Sequence, residues 1–86
     1  MGSMPIIVSS HARDKMLDRG TSEDEIEAAI RTGNSEPVRK GRRMFRKNFP
    51  YNRSWRGKHY AVKQVAPIVV EEEGRLIVVT VFVYYF

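Results

Sequence analysis

The sequence contains no cysteine, and this absence excludes both a disulfide framework and a metal site built on thiolates. It contains two histidines, His11 and His59, neither of which has a carboxylate placed to complete a ligand set. Glycine-rich phosphate loops, nucleophile elbows and zinc-deaminase signatures are also lacking. We therefore expect a protein that works without a bound metal or cofactor.

Long apolar runs are few as well. The longest covers residues 76–86, and eleven residues fall short of the roughly 20 that a membrane-spanning helix needs. The apolar piece at residues 4–8 is too short for a signal peptide, so we expect a cytoplasmic protein with no membrane partner. The opening Met-Gly-Ser is typical of an expression-vector remnant, which sets residues 1–4 apart from one domain over residues 5–86.

The run at residues 76–86 is predicted as a β strand because its side chains are mostly β-branched or aromatic. Both of its faces are apolar, which favours a strand inside a sheet and covered on both sides. The polar stretch at residues 71–74 predicts a hairpin with residues 60–70, and Pro67 there indicates a bulge, an edge or a strand end. Strict alternation puts one set of side chains on one face: Leu76, Val78, Thr80, Phe82, Tyr84 and Phe86.

Two helices are predicted in the first half of the chain. Ser9-Ser10 offers an N-cap for a helix over residues 11–19, and Gly20 ends it. Thr21-Ser22 caps a second helix that has acidic residues in its first turn and ends at Gly33. The apolar stripe of this second helix consists of Ile26, Ala29 and Ile30.

The remaining segments complete an α+β pattern. Residues 5–8 are a candidate edge strand, residues 34–42 read as a loop, residues 43–49 as a strand and residues 50–52 as a turn. The predicted order is β-α-α-β-β-β, with the two N-terminal helices packed on one face of a mostly antiparallel sheet.

The net charge of +5 is unevenly distributed. Residues 39–58 contain nine of the fifteen cations and no acid, which favours a polyanionic partner over a basic surface kept only for solubility. Aromatic residues alternate with these cations, as suits a single-stranded nucleic acid, although Phe45 and Phe49 favour a place in the core. Trp55, in a turn-rich region, is the ring expected to be exposed.

His11, Lys15 and Arg19 share one face of the first predicted helix. Cleavage of RNA without metal needs a base, an acid and cations around the phosphate, and an imidazole with two cations offers such groups. His59 beside Lys58 is a second candidate pair. The plain alternative is a solvated helix face whose cations pair with neighbouring acids, and the residues by themselves do not assign the roles.

The segment Ser10-His11-Ala12, followed by Met16, Arg19 and Gly20, resembles in slightly shifted form the opening S-x-H-A-x-x-R-M-x-x-R-G. That opening belongs to a small bacterial domain family of unassigned function related to the RelE and BrnT toxins. The closing strand at residues 77–82 resembles the same family's V-V-T-V-Y ending, and the resemblance covers most of the chain from Val8 onward. Lys15 stands where the family has its first arginine, which keeps the charge but not bidentate phosphate recognition.

The resemblance implies a RelE/BrnT-like fold and a metal-independent endoribonuclease that acts on single-stranded RNA, as the toxin of a toxin–antitoxin pair. It supports His11, Arg19 and Thr80, with RNA across the sheet face. The catalytic candidates are His11 with Lys15 and Arg19, or His59 with Lys58. The RNA-binding candidates are Arg42, Arg43, Arg46, Lys47, Arg53, Trp55, Arg56 and Thr80.

Two other readings of the sequence stay open. One is a non-catalytic module on the same fold that binds nucleic acid or an acidic protein. The other gives the apolar C-terminal strand a role as an edge for an antitoxin protein or for a second copy in a homodimer.

Overall fold

The computed structural model describes residues 4–86, and the expected vector remnant at residues 1–3 lies outside them. Two helices pack on one face of a five-stranded sheet whose order is β1-β5-β4-β3-β2, with β1 parallel to β5 and every other neighbouring pair antiparallel. The predicted α+β class is therefore confirmed. The elements are β1 (Ile6–Val8), α1 (Ser10–Arg19), α2 (Glu23–Thr32), β2 (Asn34–Pro37), β3 (Arg43–Trp55), β4 (Lys58–Glu72) and β5 (Arg75–Tyr85).

The predicted order holds, with β2 as an additional strand. Residues 34–37 were expected in a loop, but they pair antiparallel with residues 43–46 of β3. All four residues of β2 are exposed. The strand has no buried face, so its side chains carry no strand periodicity.

Both helices begin and end close to the predicted residues. The Ser9 side chain accepts a hydrogen bond from the Ala12 N–H at 3.1 Å, and that of Ser22 accepts one from the Glu25 N–H at 3.2 Å. Gly20 ends α1 in the left-handed region, at φ +80°. Their buried side chains, with strands β4 and β5, form the main core: Ala12, Met16, Ile26, Ile30, Val65, Val69, Val78 and Val81.

Two-residue turns connect the long strands. Glu73 and Gly74, both with positive φ, close the predicted β4–β5 hairpin. The β3–β4 turn falls at Arg56 and Gly57, so the turn predicted at residues 50–52 is wrong. The chain continues there as strand, and a register shift between Pro50 and Arg53 absorbs the turn-forming residues as a bulge.

The strict alternation predicted for β5 is also wrong. The register between β4 and β5 shifts after Ile68, so Val79 is an extra residue in β5 and both Val78 and Val81 are fully buried. Pro67 lies one residue before this shift, buried inside the central strand β4.

The helix-free face of the sheet is only partly covered. A small cluster of Met44, Ala66 and Ile68 is buried there. Beyond it, Phe82, Tyr84 and Phe86 are 36%, 42% and 56% exposed, so the expectation that β5 is covered on both sides fails at its C-terminal end. Among residues 4–86, no helix is long and apolar enough to cross a membrane.

Candidate nucleic-acid interface

Tyr85 lies at the centre of an aromatic cluster at the end of the sheet. The Trp55 ring stacks on it with centroids 4.9 Å apart and an interplanar angle of 15°. The Tyr51 and Tyr60 rings lie at 5.3 and 5.6 Å. Trp55 is therefore half-buried in the cluster, and the expectation of an exposed ring is corrected.

The Tyr85 hydroxyl joins this cluster to the end of α1. It donates a hydrogen bond to the Arg19 carbonyl at 2.8 Å. Burial is the largest cause that raises the pKa of Tyr85 to about 12, and the negative charges of the neighbouring Tyr51 and Glu25 raise it further. The positive charges of Arg56 and Arg53 act in the opposite direction. At neutral pH Tyr85 is consequently an uncharged donor that positions α1, and not a general base.

Lys63 supports the same region from the central strand. Its ammonium group is buried and donates a hydrogen bond to the Gly20 carbonyl at 3.0 Å. It also pairs at 2.8 Å with Glu25, which in turn accepts from the Thr21 hydroxyl at 2.9 Å. Lys63 was not among the predicted functional residues, yet its position two residues before the buried Val65 was a signal that it points inward.

A cleft of about 270 Å³ lies between the end of α1 and the β3–β4 turn. Arg19 reaches into it, donating to the Val81 carbonyl at 2.7 Å, with its guanidinium carbon 4.8 Å from the Phe82 ring centroid. Arg56 donates to the Asp18 carbonyl at 2.6 Å, and its guanidinium carbon lies 5.0 Å from the Trp55 ring centroid. The cleft is lined by Asp18, Arg19, Trp55, Arg56, Phe82, Val83 and Tyr85.

Phe82, one of the residues that line the cleft, lies opposite Ala66 on the helix-free face of the sheet. There the Phe82 and Tyr84 rings stack with centroids 6.5 Å apart, and Arg46 lies 5.8 Å from the Tyr84 ring centroid. Glu36 and Gln64 each hold the Arg46 guanidinium at 2.9 Å. Cations thus flank and separate aromatic rings along a surface that we call the cation–ring stripe: Arg46, Tyr84, Phe82, Arg19, Trp55 and Arg56.

The stripe contains four of the predicted site residues, Arg19, Arg46, Trp55 and Arg56. Residues from α1 and from the β3–β4 turn meet here although 37 positions separate Arg19 from Arg56 (56 − 19). Thr80 lies on β5 opposite Ile68, on the same helix-free face. Phe82 and Tyr84 were not predicted as functional, although their spacing of two on a strand was a signal for a shared face.

The other predicted basic RNA-binding residues lie along β3 or, for Arg42, immediately before it. Arg53 lies 4.7 Å from the Tyr51 ring centroid, at the edge of the aromatic cluster. Lys47 lies 5.8 Å from the Phe49 centroid, further back along the strand. Arg42 and Arg43 line a separate cleft of about 310 Å³ at the opposite end of the sheet. The basic segment is consequently an elongated band and not one compact patch.

The candidate catalytic residues occupy two separate places. His11 is exposed in the first turn of α1, Lys15 is half-buried one turn later, and only Arg19 reaches the cleft. His59 is exposed and lies opposite Ser54, near the β3–β4 turn, with Lys58 beside it over the Tyr60 ring at 5.5 Å. Asp18, an acid on the same helix as these cations, faces Arg56 at 3.6 Å.

The residues that the structure describes contain no group of three metal-ligating side chains that could hold an ion. In the comparisons with known proteins, no family model, no curated protein and no solved structure matches this chain. The resemblance to the RelE and BrnT toxins and the catalytic roles therefore stay predictions.

Proposed function

We propose that this protein binds single-stranded RNA along the cation–ring stripe. The observation that carries the proposal is the convergence of two guanidinium groups and three aromatic rings on one cleft, from segments distant in sequence. Single-stranded nucleic acids are bound by this combination, in which cations follow the phosphates and rings stack on bases.

Arg19 and Arg56 are suited to a phosphate group because both are held in place by backbone carbonyls. Each donates one hydrogen bond to a carbonyl, at 2.7 Å and 2.6 Å, which leaves further N–H groups of the planar guanidinium for another acceptor. Such preorganised guanidiniums bind phosphate through paired donors.

Phe82 and Tyr84 are suited to bases because their rings lie exposed on a sheet face that no helix covers. Stacking of a base on such a ring contributes about 1–3 kcal/mol and tolerates any base. A paired duplex keeps its bases stacked on one another, so exposed rings favour an unpaired strand.

A second proposal is that the bound RNA is cleaved without metal, as by the toxin of a toxin–antitoxin pair. It is supported by the spacing of His11, Lys15 and Arg19 along α1, where each lies about one helical turn from the next. The exposed imidazole is a candidate general base and Lys15 and Arg19 are candidate phosphate ligands. The alternative is a binding module on the same fold without catalytic activity.

Binding is tested by fluorescence anisotropy with a labelled twelve-nucleotide RNA of mixed sequence. We expect Phe82→Leu, which keeps an apolar side chain, to weaken binding about 5- to 100-fold through the loss of one stacking ring. Arg56→Ala should weaken it and lower the slope of log K against log salt by about one phosphate contact. Arg75→Ala, which removes the same charge from the far β4–β5 hairpin, is the matched control and should change binding less than twofold.

An equal loss of affinity in Arg56→Ala and Arg75→Ala would show that net charge alone holds the RNA, and the stripe would then be wrong as a site.

Cleavage is followed on the same RNA with and without EDTA. Fragments with 2′,3′-cyclic ends that form in EDTA and slow by about 10²- to 10⁴-fold in His11→Ala would support the nuclease. RNA that binds but stays intact would contradict the nuclease and support the binding module without catalytic activity.

A further inference from the structure

The sheet has two partly open edges that differ in character. β2 pairs with residues 43–46 of β3, and the open remainder of β3 contains Lys47, Pro50 and a register shift. Charge, proline and bulges are the features by which proteins keep an edge strand from pairing. β1 covers only residues 76–78 of β5, and the open stretch at residues 81–85 has no charge, no proline and no register shift.

The outward backbone groups of this open stretch follow from the pairing with β4. Val62 and Phe86 exchange two backbone hydrogen bonds, at 2.8 and 3.0 Å. In an antiparallel pair such residues alternate, so Val81, Val83 and Tyr85 direct their N–H and C=O groups away from β4. Arg19 donates to the Val81 carbonyl from outside the sheet, as this direction requires. Val83 and Tyr85 therefore present four backbone groups to an incoming strand.

The surroundings of the open stretch are basic. Arg19 and Arg56 line the cleft beside Val83, and the acid there, Asp18, lies 3.6 Å from Arg56. A second copy paired antiparallel about Val83 would bring its Arg56 toward Arg19, because Val81 would then oppose Tyr85. Like charges brought together in this way disfavour the second copy as occupant. An extended segment with acidic side chains is favoured instead.

We propose that residues 81–85 bind an acidic, extended segment of a partner protein by strand addition. The segment exchanges backbone hydrogen bonds with Val83 and Tyr85, and its carboxylates pair with Arg19 and Arg56. Strand addition at residues 81–85 does not require that the protein bind RNA. Because both arginines also belong to the cation–ring stripe, a bound segment excludes RNA from the cleft.

The probe is an eight-residue peptide of alternating valine and glutamate, acetylated and amidated at its ends, and the readout is amide hydrogen exchange by NMR. In the free protein, the amides of Val83 and Tyr85 should exchange fast while that of Tyr84 exchanges slowly. Saturating peptide should slow exchange at Val83 and Tyr85 at least tenfold. The same peptide with lysine for glutamate should give no protection.

Val83→Pro removes one outward donor without removing a β4–β5 hydrogen bond, and Val83→Thr is its matched control. We expect peptide binding to weaken at least tenfold in the proline variant and less than twofold in the threonine variant. Equal binding in both variants, equal binding of the lysine peptide, or binding without protection of Val83 and Tyr85 would overturn the proposal. A doubled molecular mass that Val83→Pro abolishes would make a second copy the occupant, and the acidic segment would be wrong.

Discussion

Replacement of Gly20 by alanine tests whether the aromatic cluster packs tightly on the end of α1. Gly20 has φ +80°, and a Cβ atom there would lie 2.6 Å from the Tyr85 hydroxyl oxygen and 2.7 Å from two ring carbons of Trp55. These rings stack on each other, and the Tyr85 hydroxyl donates a hydrogen bond to the Arg19 carbonyl. The methyl group therefore cannot be accommodated by the movement of one flexible side-chain end.

The cost has two parts that can be estimated separately. A left-handed backbone costs an alanine about 1 kcal/mol more than a glycine. Displacing packed side chains costs about 1–3 kcal/mol, while the loss of glycine's freedom in the unfolded chain returns about 0.4–1 kcal/mol. We expect Gly20→Ala to lower the free energy of unfolding by about 1–3.5 kcal/mol, which is a considerable share of the roughly 5–15 kcal/mol typical of a domain.

Gly74→Ala is the matched control. Gly74 has a similar φ of +76° in the β4–β5 turn, but a Cβ there would meet no atom within 4 Å, so the packing cost is absent. Only the backbone cost of about 1 kcal/mol applies, less the same return of about 0.4–1 kcal/mol from the unfolded chain. Urea unfolding followed by circular dichroism measures both variants. Trp55 is the single tryptophan, so its fluorescence reports directly on the cluster and should change in Gly20→Ala only.

Equal destabilisation by the two substitutions, with unchanged tryptophan emission, would refute this reasoning. It would mean that the cluster does not pack against Gly20. The assignment of the cleft beside Trp55 and Arg19 would then lose its structural basis.

Two further predictions concern the groups beneath the cluster. Burial raises the pKa of Tyr85 from 10.0 to about 12, so the stability that the protonated hydroxyl contributes is complete below pH 10 and is lost as the pH rises through 12. This change in pKa corresponds to about 2.7 kcal/mol, which partial solvent exposure reduces to about 1–2 kcal/mol. Between pH 9 and pH 11.5, the urea midpoint should therefore fall less in Tyr85→Phe than in the unsubstituted protein. Lys63→Met leaves Glu25 without its buried partner and should destabilise the fold by about 2–4 kcal/mol, whereas Lys63→Met combined with Glu25→Gln should recover part of this loss. No recovery in the double variant would contradict the ion pair as the source of the cost.

Local signals in the sequence were sufficient for much of the architecture. The caps at Ser9 and Ser22, the glycine at the end of α1 and the polar turn before β5 depend on residues only a few positions apart, so they could be recognised without the fold. Together with the apolar stripe of α2 they led to the α+β class. The basic character of residues 39–58 is likewise a property of composition.

Register and proximity were decided by tertiary structure. The extra residue at Val79 depends on how β5 meets β4, and one such residue changes which side chains face the helices. The strand β2 exists only because β3 lies beside it. Arg19, Trp55 and Arg56 form one surface because the end of α1 packs against the far end of the sheet, and no local pattern records a contact between segments so distant in the chain.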